Sequence, residues 1–401
     1  MALTRGAGWL AYGGLSSLAF GTQDTISYKL LEEEKISSAA VNTTVHVLFA
    51  AGGLLGALAL GKRRFLRDVR TVLSKYSLWI SLAGVCALAG NVLLYWAYQL
   101  GSHVNPGVIT TIGNGAVVVS TLLAYAIYGA PVTSRQSVGM IVMLGAFTMA
   151  AMGNSILGHK QSGHKQSGHK QSGHKQSGHK QSGHKQSGHK QSRDNSSEDT
   201  GAQTDYLPFE PHPHLLTADP KHADPKHADP EHADHKPAAG GSKYGWVAAA
   251  VASAVAYGGL SFFQYVITRR DRKLNMMSLA LCVALVESVI GLGIYAAAGT
   301  EALRGVERGP FKNYRQDIRR LAGTKYLPYT ASTALCDGAG LATLLKSYTL
   351  AGNPGFSDVI SDTYSMVQAI LTYVVYGKKM DVVQIGSLAV AVAGAALISL
   401  K

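Results

Sequence analysis

Carboxylates inside apolar segments are the residues of this chain with the clearest potential for chemistry. Asp358 and Asp362 stand four residues apart in an otherwise apolar stretch, so on a helix they share one face. Two carboxylates that close in a medium of low dielectric do not ionise together easily, and one can keep a proton at neutral pH. The pattern favours proton coupling or cation binding. Alternatively, Asp358 merely lies in the first turn after Pro354, near a positive helix end.

Further polar residues lie inside other apolar segments. Glu287 is expected to pair, to be protonated or to face a water-filled cavity, and Asp337 lies deep in its own segment. Asn91 and Tyr95, at i and i+4, can hydrogen-bond a substrate, although contacts between helices explain them equally well. His46 is interpreted as a satisfied interior histidine. The candidate site for substrate or coupling ion comprises Asp362, Asp358, Glu287, Asp337, Asn114, Asn91 and Tyr95.

The segments that carry these residues belong to an internal duplication. Residues 105–136 match residues 353–384 without a gap, with 10 of 32 positions identical. Thr110 and Asn114 occupy the positions of the two acids 248 residues later, so this polar stripe is acidic only in the second copy. The other polar candidates of the first half are interpreted as neutral, with Gln23 and Asp24 closing the first segment. Further matches pair Gly21 with Gly258, Gly90 with Gly340, and Asp68-Val69-Arg70 with Asp317-Ile318-Arg319.

The elements that position these residues are predicted to be membrane helices. The mean hydropathy of the 401 residues is only +0.09, because a polar central block dilutes two strongly apolar ones. Runs of 18 or more apolar or small residues are long enough to cross about 30 Å of hydrocarbon. They are apolar all round, whereas helices of a soluble bundle need amphipathic stripes. The ten predicted segments are 8–28, 37–61, 77–99, 106–128, 136–157, 244–267, 275–298, 326–348, 354–376 and 382–400.

The chain is therefore predicted to be an all-α integral membrane protein with ten transmembrane helices, in two inverted five-helix repeats. The repeats are residues 1–157 and 244–401, and five helices in the first put the second into the membrane in the opposite orientation. The basic loop 62–75 indicates cytoplasmic termini. The loop 301–325 indicates the opposite, because it is the duplicate of the first basic loop and carries the same charge.

Residues 158–243 are predicted to be a disordered linker of low complexity. Seven copies of GHKQS are followed by ADPKH-like repeats, and 13 of the 15 histidines of the chain lie in this segment. Such a composition cannot bury enough apolar surface to fold. Imidazoles on a flexible chain can chelate metal ions, but no ordered spacing fixes a coordination geometry, so no metal site is assigned.

The fourth segment of each half carries a likeness to a known family. The blocks NPGVITTIGNGAVVVSTLLAYAIYG and NPGFSDVISDTYSMVQAILTYVVYG, with Gln136 and Gln384 after them, resemble the drug/metabolite transporter superfamily, specifically its EamA-like type. The resemblance implies a central cavity lined mainly by the first four helices of each half, with the fifth helix peripheral. Gly129 and Gly377 are expected to end the fourth helices. The family usually has an acid after that glycine, whereas Ala130 and Lys378 stand here.

The expected function is secondary transport by alternating access, with a small cationic or zwitterionic metabolite, amino acid or drug as substrate and proton exchange as one coupling. A phosphorylated substrate would need several buried basic residues, and only Lys346 is available. Two alternatives remain open. One is a divalent-metal carrier, favoured by the acids and the histidine-rich linker, and the other is a non-transporting membrane scaffold or receptor.

No enzyme signature is present: we find no phosphate-cradling glycine loop, metal pair on a helix or nucleophile elbow, so no catalytic residue and no cofactor is assigned. The net charge of +13 suggests nucleic acid at first sight. Outside the linker, however, it is concentrated in short loops beside apolar segments, where topology and anionic lipid headgroups explain it. The expected partners are the lipid bilayer and a small-molecule substrate, and a homodimer is left open.

Overall fold

The computed structural model describes residues 2–129, 132–161, 244–271, 273–298, 309–351 and 361–399, and within these ranges it is helical without a strand. The first half contains α1 (Ala2–Tyr28) with a π-helical extension (Lys29–Glu33), α2 (Ser38–Ala59), α3 (Arg63–Lys75), α4 (Ser77–Leu100), α5 (Pro106–Gly113), α6 (Ala116–Tyr128) and α7 (Ser134–Gln161). The second half contains α8 (Gly245–Arg270), α9 (Met276–Ala297), a 3₁₀ turn (Gly309–Phe311), α10 (Tyr314–Leu321), α11 (Leu327–Ala351), α12 (Tyr364–Tyr376) and α13 (Val382–Ser399).

Six helical spans are long and apolar enough to cross a membrane, which supports the prediction of an integral membrane protein. They are Ser38–Ala59, Ser77–Leu100, Pro106–Ile127, Ser134–Met152, Gly245–Thr268 and Met276–Ala297. The described parts of α12 and α13 form shorter apolar helices. From residue 162 onward the predicted linker lies outside the described ranges, and α7 continues through Gln161, so the helix includes the first four residues of the predicted linker.

Two helices are long enough to span but are not among these six. They are α1, with 27 residues, and α11, with 25 residues. Both carry polar side chains in their membrane-length stretch, with Gln23 and Asp24 in α1 and Asp337 in α11. The two helices pack against each other along their length, so part of their polar surface faces protein. The low hydropathy of α1 and α11 follows from these polar side chains, which line the interior of the helical bundle.

The two basic segments predicted as loops contain amphipathic helices. In α3, Val69 and Val72 are buried while the arginines around them are exposed, because a spacing of three residues puts the two valines on one helix face. In α10, the buried face consists of Tyr314, Asp317 and Leu321. Both segments were predicted only as basic loops between membrane helices, and the buried face within each explains why they form short helices.

Each amphipathic helix also holds the start of a membrane helix from the other half. The carboxylate of Asp68 accepts a hydrogen bond from the backbone N–H of Asn275 at 3.3 Å, at the start of α9. The carboxylate of Asp317 accepts one from the backbone N–H of Ser37 at 2.8 Å, at the start of α2. Both bonds satisfy a donor that a helix start leaves without an intrahelical partner. Asp68 and Asp317 are equivalent in the duplicated sequence.

The fourth helix of the first half is broken at its middle. Helix α5 ends at Gly113 and α6 begins at Ala116, and in the second half a turn at Thr363 precedes α12 at the equivalent position. Both α6 and α12 have 13 residues. They end at Gly129 and Gly377, with φ of 61° and 64°, a left-handed conformation that suits glycine. The predicted helix ends at these two glycines are confirmed.

Helices from the two halves intermix in one compact unit. Helix α1 packs on α11 and α12, while α8 packs on α4 and α6; α2 packs on α9, and α7 packs on α13. The close approaches recur in both halves. A Cβ on Gly21 would lie 2.7 Å from the Val367 side chain, and a Cβ on Gly258 would lie 2.5 Å from that of Val119. These glycines let the helix backbones approach closely.

Candidate functional site

A cavity of about 200 Å³ lies among the helices of the two halves. Its walls come from α1, α2, α4, α5 and α6 of the first half, and from α8, α9, α11 and the residues around the start of α12 in the second. No described residue of α7 or α13 lines it. Both helix breaks reach this wall, through Asn114 in one half and Asp362 in the other. Irregular backbone at membrane depth is tolerated where it lines such a cavity.

The wall of the cavity is acidic and aromatic. Of the described residues that line it, four carry a carboxyl group and none is lysine or arginine. His46 is the one imidazole among them. The carboxylates are Asp24, Glu287, Asp337 and Asp362, and the aromatic rings are Phe20, Phe49, Tyr257 and Tyr364. Such a wall attracts positive charge, through the carboxylates directly and through the negative faces of the rings.

Glu287 is held by groups from the first half. It is 1% exposed, and its Oε2 accepts hydrogen bonds from the side-chain amides of Asn42 at 3.3 Å and Asn91 at 3.4 Å. Asn91 in turn accepts a hydrogen bond from the hydroxyl of Tyr257. The other carboxylate oxygen lies 3.4 Å from Nε2 of His46. These contacts orient the carboxylate, which the sequence alone could place only within its helix.

Asp24 lies within a hydrogen-bond network that the sequence did not reveal. The hydroxyl of Tyr98 donates to Asp24 Oδ2 at 2.9 Å and lies 2.6 Å from Oγ1 of Thr110. Thr110 donates to Gln368 of α12, which joins the network to the second half. Asp24, which the sequence grouped with the neutral polar residues of the first half, is an acid that belongs to this network. Helix α1 runs on to Tyr28, so Asp24 lies inside the helix and on the cavity wall.

Asn114 and Asp362 are equivalent in the duplication and contact each other. The side-chain amide of Asn114 donates to the backbone carbonyl of Asp362 at 2.8 Å. Helix α1 contacts the same part of the second half. The hydroxyl of Ser16 lies 3.1 Å from that of Ser361, and the hydroxyl of Ser17 lies 2.8 Å from that of Thr363. The helix breaks of both halves are thus fixed by polar contacts between halves.

The structure brings five of the seven predicted site residues to the cavity wall. They are Asp362, Glu287, Asp337, Asn114 and Asn91. Tyr95 does not line the cavity and is 1% exposed, with the hydroxyl of Ser27 donating to its own at 3.3 Å. Asp358 lies outside the described residues. Within the described ranges, no three His, Cys, Asp or Glu side chains form a group that could hold a metal ion.

His46 and Asp24 are the wall residues that sequence reasoning undervalued. A single histidine or a single acid in an apolar segment was the available signal for both. His46 lies between Glu287 of α9 and Asp337 of α11, 3.4 Å and 3.8 Å away. The partners are more than 200 residues distant in sequence, so only the packing of α2 on α9 and α11 reveals them.

A polar cluster joins the two halves outside the membrane-spanning segments. Oε2 of Glu34, in the connection before α2, accepts hydrogen bonds from the Tyr326 hydroxyl at 2.7 Å and from Lys325 Nζ at 3.3 Å. The Tyr326 hydrogen bond, aided by Lys325, lowers the pKa of Glu34. The contact is therefore fully formed at pH values above the ordinary pKa range of a carboxyl group. It is lost as the pH falls through the lowered pKa of Glu34. We call these three residues the Glu34 cluster.

No protein-family model matches the chain, and no curated protein matches its sequence.

Proposed function

We propose that this chain is a multi-pass secondary transporter for a small cationic or zwitterionic metabolite. On this proposal it is an EamA-like member of the drug/metabolite transporter superfamily with ten membrane helices in two inverted repeats. Both termini lie in the cytoplasm, and the cavity opens alternately to each side of the membrane. The observation that carries the proposal is the cavity wall, with four carboxylates and no lysine or arginine among its described residues.

The recurring contacts between halves support the inverted repeat. Helix α1 packs on α11 as α8 packs on α4, and Asp68 and Asp317 make the same kind of hydrogen bond in opposite halves. Such reciprocal contacts are expected of two copies related by a twofold axis, with the binding site between them. The wall contains first-to-fourth helices of both halves, which is the arrangement that the family resemblance implies.

The size and composition of the cavity favour a small organic cation. About 200 Å³ is below the ~300–1,000 Å³ typical of sites for drug-sized ligands, so a metabolite fits better than a drug. Carboxylates next to aromatic faces suit an ammonium group. A phosphate ester would meet like charge on this wall and no basic partner among the described lining residues.

The test is uptake into liposomes by the purified full-length protein. We expect accumulation of labelled choline, or of the zwitterion alanine, and no accumulation of glycerol phosphate beyond that of protein-free liposomes. Asp362→Asn removes one negative charge from the cavity wall and keeps the shape of the side chain. Uptake should therefore fall by about tenfold, equivalent to about 1.4 kcal/mol of binding.

Glu33→Gln is the matched control, because Glu33 is an exposed carboxylate away from the cavity and its loss should leave uptake unchanged. Uptake of glycerol phosphate in preference to both other probes would contradict the proposed substrate class. Equal uptake by Asp362→Asn and wild type would remove this carboxylate from the mechanism.

A further inference from the structure

His46 is held in one tautomer by its own helix. Its side chain is 7% exposed, and Nδ1 lies 2.9 Å from the backbone carbonyl of Asn42, one turn earlier in α2. A carbonyl oxygen only accepts hydrogen bonds, so Nδ1 must carry the hydrogen. The second ring nitrogen, Nε2, is then the position where a proton can be gained or lost.

Nε2 faces two carboxylates that belong to the other half. It lies 3.4 Å from Oε1 of Glu287 and 3.8 Å from Oδ2 of Asp337. A neutral ring in this tautomer would present a lone pair to two anionic oxygens. The arrangement is favourable only when a proton lies on Nε2 or on a carboxyl group that donates to it. We call these three residues the His46 cluster.

One shared proton leaves the His46 cluster with a single net negative charge. A second proton would neutralise it, and so would an organic cation in the adjoining cavity. Because uncompensated charge at membrane depth is costly, one positive charge is favoured there and two are not. Binding of the cation and binding of the second proton therefore exclude each other.

The charge balance above is that of the His46 cluster alone, and other titratable groups line the same cavity. Asp24 of α1 and Asp362 before α12 add negative charge to the same cavity, while Tyr257 of α8 and Tyr364 of α12 add hydroxyls. From α10, Tyr314 reaches Thr43 on α2, and α4 presents Asn91. No lysine or arginine is among the described residues of the cavity wall.

We infer that the His46 cluster is the coupling-proton site, and that one proton leaves it for water when one organic cation enters the cavity. The inference rests on the proposed function. Since α2 supplies His46 while α9 and α11 supply the two carboxylates, the cluster joins the two halves. Its protonation alters the attraction between the elements that must move apart for the cavity to open.

The experiment uses the full-length protein in liposomes with choline as the probe, in two assays. Counterflow exchanges internal for external choline at equal pH and needs only binding and alternation. The second assay measures uphill accumulation driven by a pH gradient. Wild type should do both, whereas His46→Gln should lose about tenfold in accumulation relative to its own counterflow rate, with uptake independent of pH from about 5.5 to about 8.

Two further variants keep the result clear. Glu287→Gln retains an oxygen that accepts from Asn42 and Asn91 and should also lose accumulation, which covers a failure of His46→Gln to fold. His103→Gln changes an exposed histidine and should behave as wild type. Full accumulation by His46→Gln, or exchange without accumulation in wild type, would overturn this inference and leave the proposed function intact. Absence of choline and alanine exchange in wild type would overturn both.

Discussion

At the scale of single residues, hydrogen bonds hold the carboxylates of this cavity in defined positions. Asp24 accepts from Tyr98, and Glu287 accepts from two asparagines. A buried carboxylate that loses its donors keeps the full cost of its desolvation. These donors are therefore as necessary to the site as the acids themselves, although none of them carries charge.

Tyr98→Phe tests this cost at one atom. The hydroxyl of Tyr98 donates to Asp24 and contacts Thr110, and the residue is fully buried. We expect a loss of about 1–3 kcal/mol in stability, because the change leaves a buried oxygen of Asp24 without its donor. The readout is the apparent Tm of the detergent-purified protein. Tyr125→Phe is the control, since Tyr125 is 55% exposed, and an equal fall in both variants would refute the assignment.

At the scale of elements, the architecture depends on close approach between helix backbones of opposite halves. The pairs α1 with α12 and α8 with α6 meet where Gly21 and Gly258 leave room for a valine. Helices α6 and α12 begin at the helix breaks on the cavity wall. Their packing therefore sets the positions of Asn114 and Asp362.

Gly258→Ala should force α8 and α6 apart. The new Cβ would lie 2.5 Å from Cβ of Val119, so we expect a destabilisation of about 1–3 kcal/mol. Gly14→Ala is the matched control. A Cβ there has no neighbour within 4 Å, and alanine is the better helix former by about 1 kcal/mol, so its Tm should stay constant or rise. Opposite signs in the two variants are the expected result, and a stabilising Gly258→Ala would contradict the contact.

The predictability of these features follows from the range of the interactions behind them. Helix ends at Gly129 and Gly377, and the acids Glu287 and Asp337, are local signals that the sequence displays. The partner of His46 is set by packing between segments more than 200 residues apart, which has no local signal. The apolar stripe of α3 was hidden by its basic residues, and the hydrogen bond of Asp24 with Tyr98 joins residues 74 positions apart, which leaves no local signal.

At the scale of the whole molecule, the proposed transport cycle requires the two halves to separate at one end while they close at the other. The Glu34 cluster joins the connection before α2 to the start of α11, and therefore one half to the other. A separation of the halves at this end would have to break the Glu34 cluster.

Cross-linking the Glu34 cluster should arrest transport. We expect Glu34→Cys with Lys325→Cys, joined by a short thiol-cleavable reagent, to abolish choline uptake and to regain it after reduction. Cys86, Cys282 and Cys336 are replaced in the background, since all three are free thiols. Each single cysteine variant treated with the same reagent is the control. Undiminished uptake by the cross-linked protein would show that these connections do not separate during the cycle.

The contact between Asn114 and Asp362 has a consequence for the direction of transport. In a perfectly duplicated chain with inverted halves, the inward-open and outward-open forms would have equal free energy, and neither would be the resting form. An amide facing an acid at equivalent positions breaks that degeneracy at the centre of the molecule. The resting orientation of such a carrier, and hence the side from which it loads first, then depends on positions at which its two copies differ.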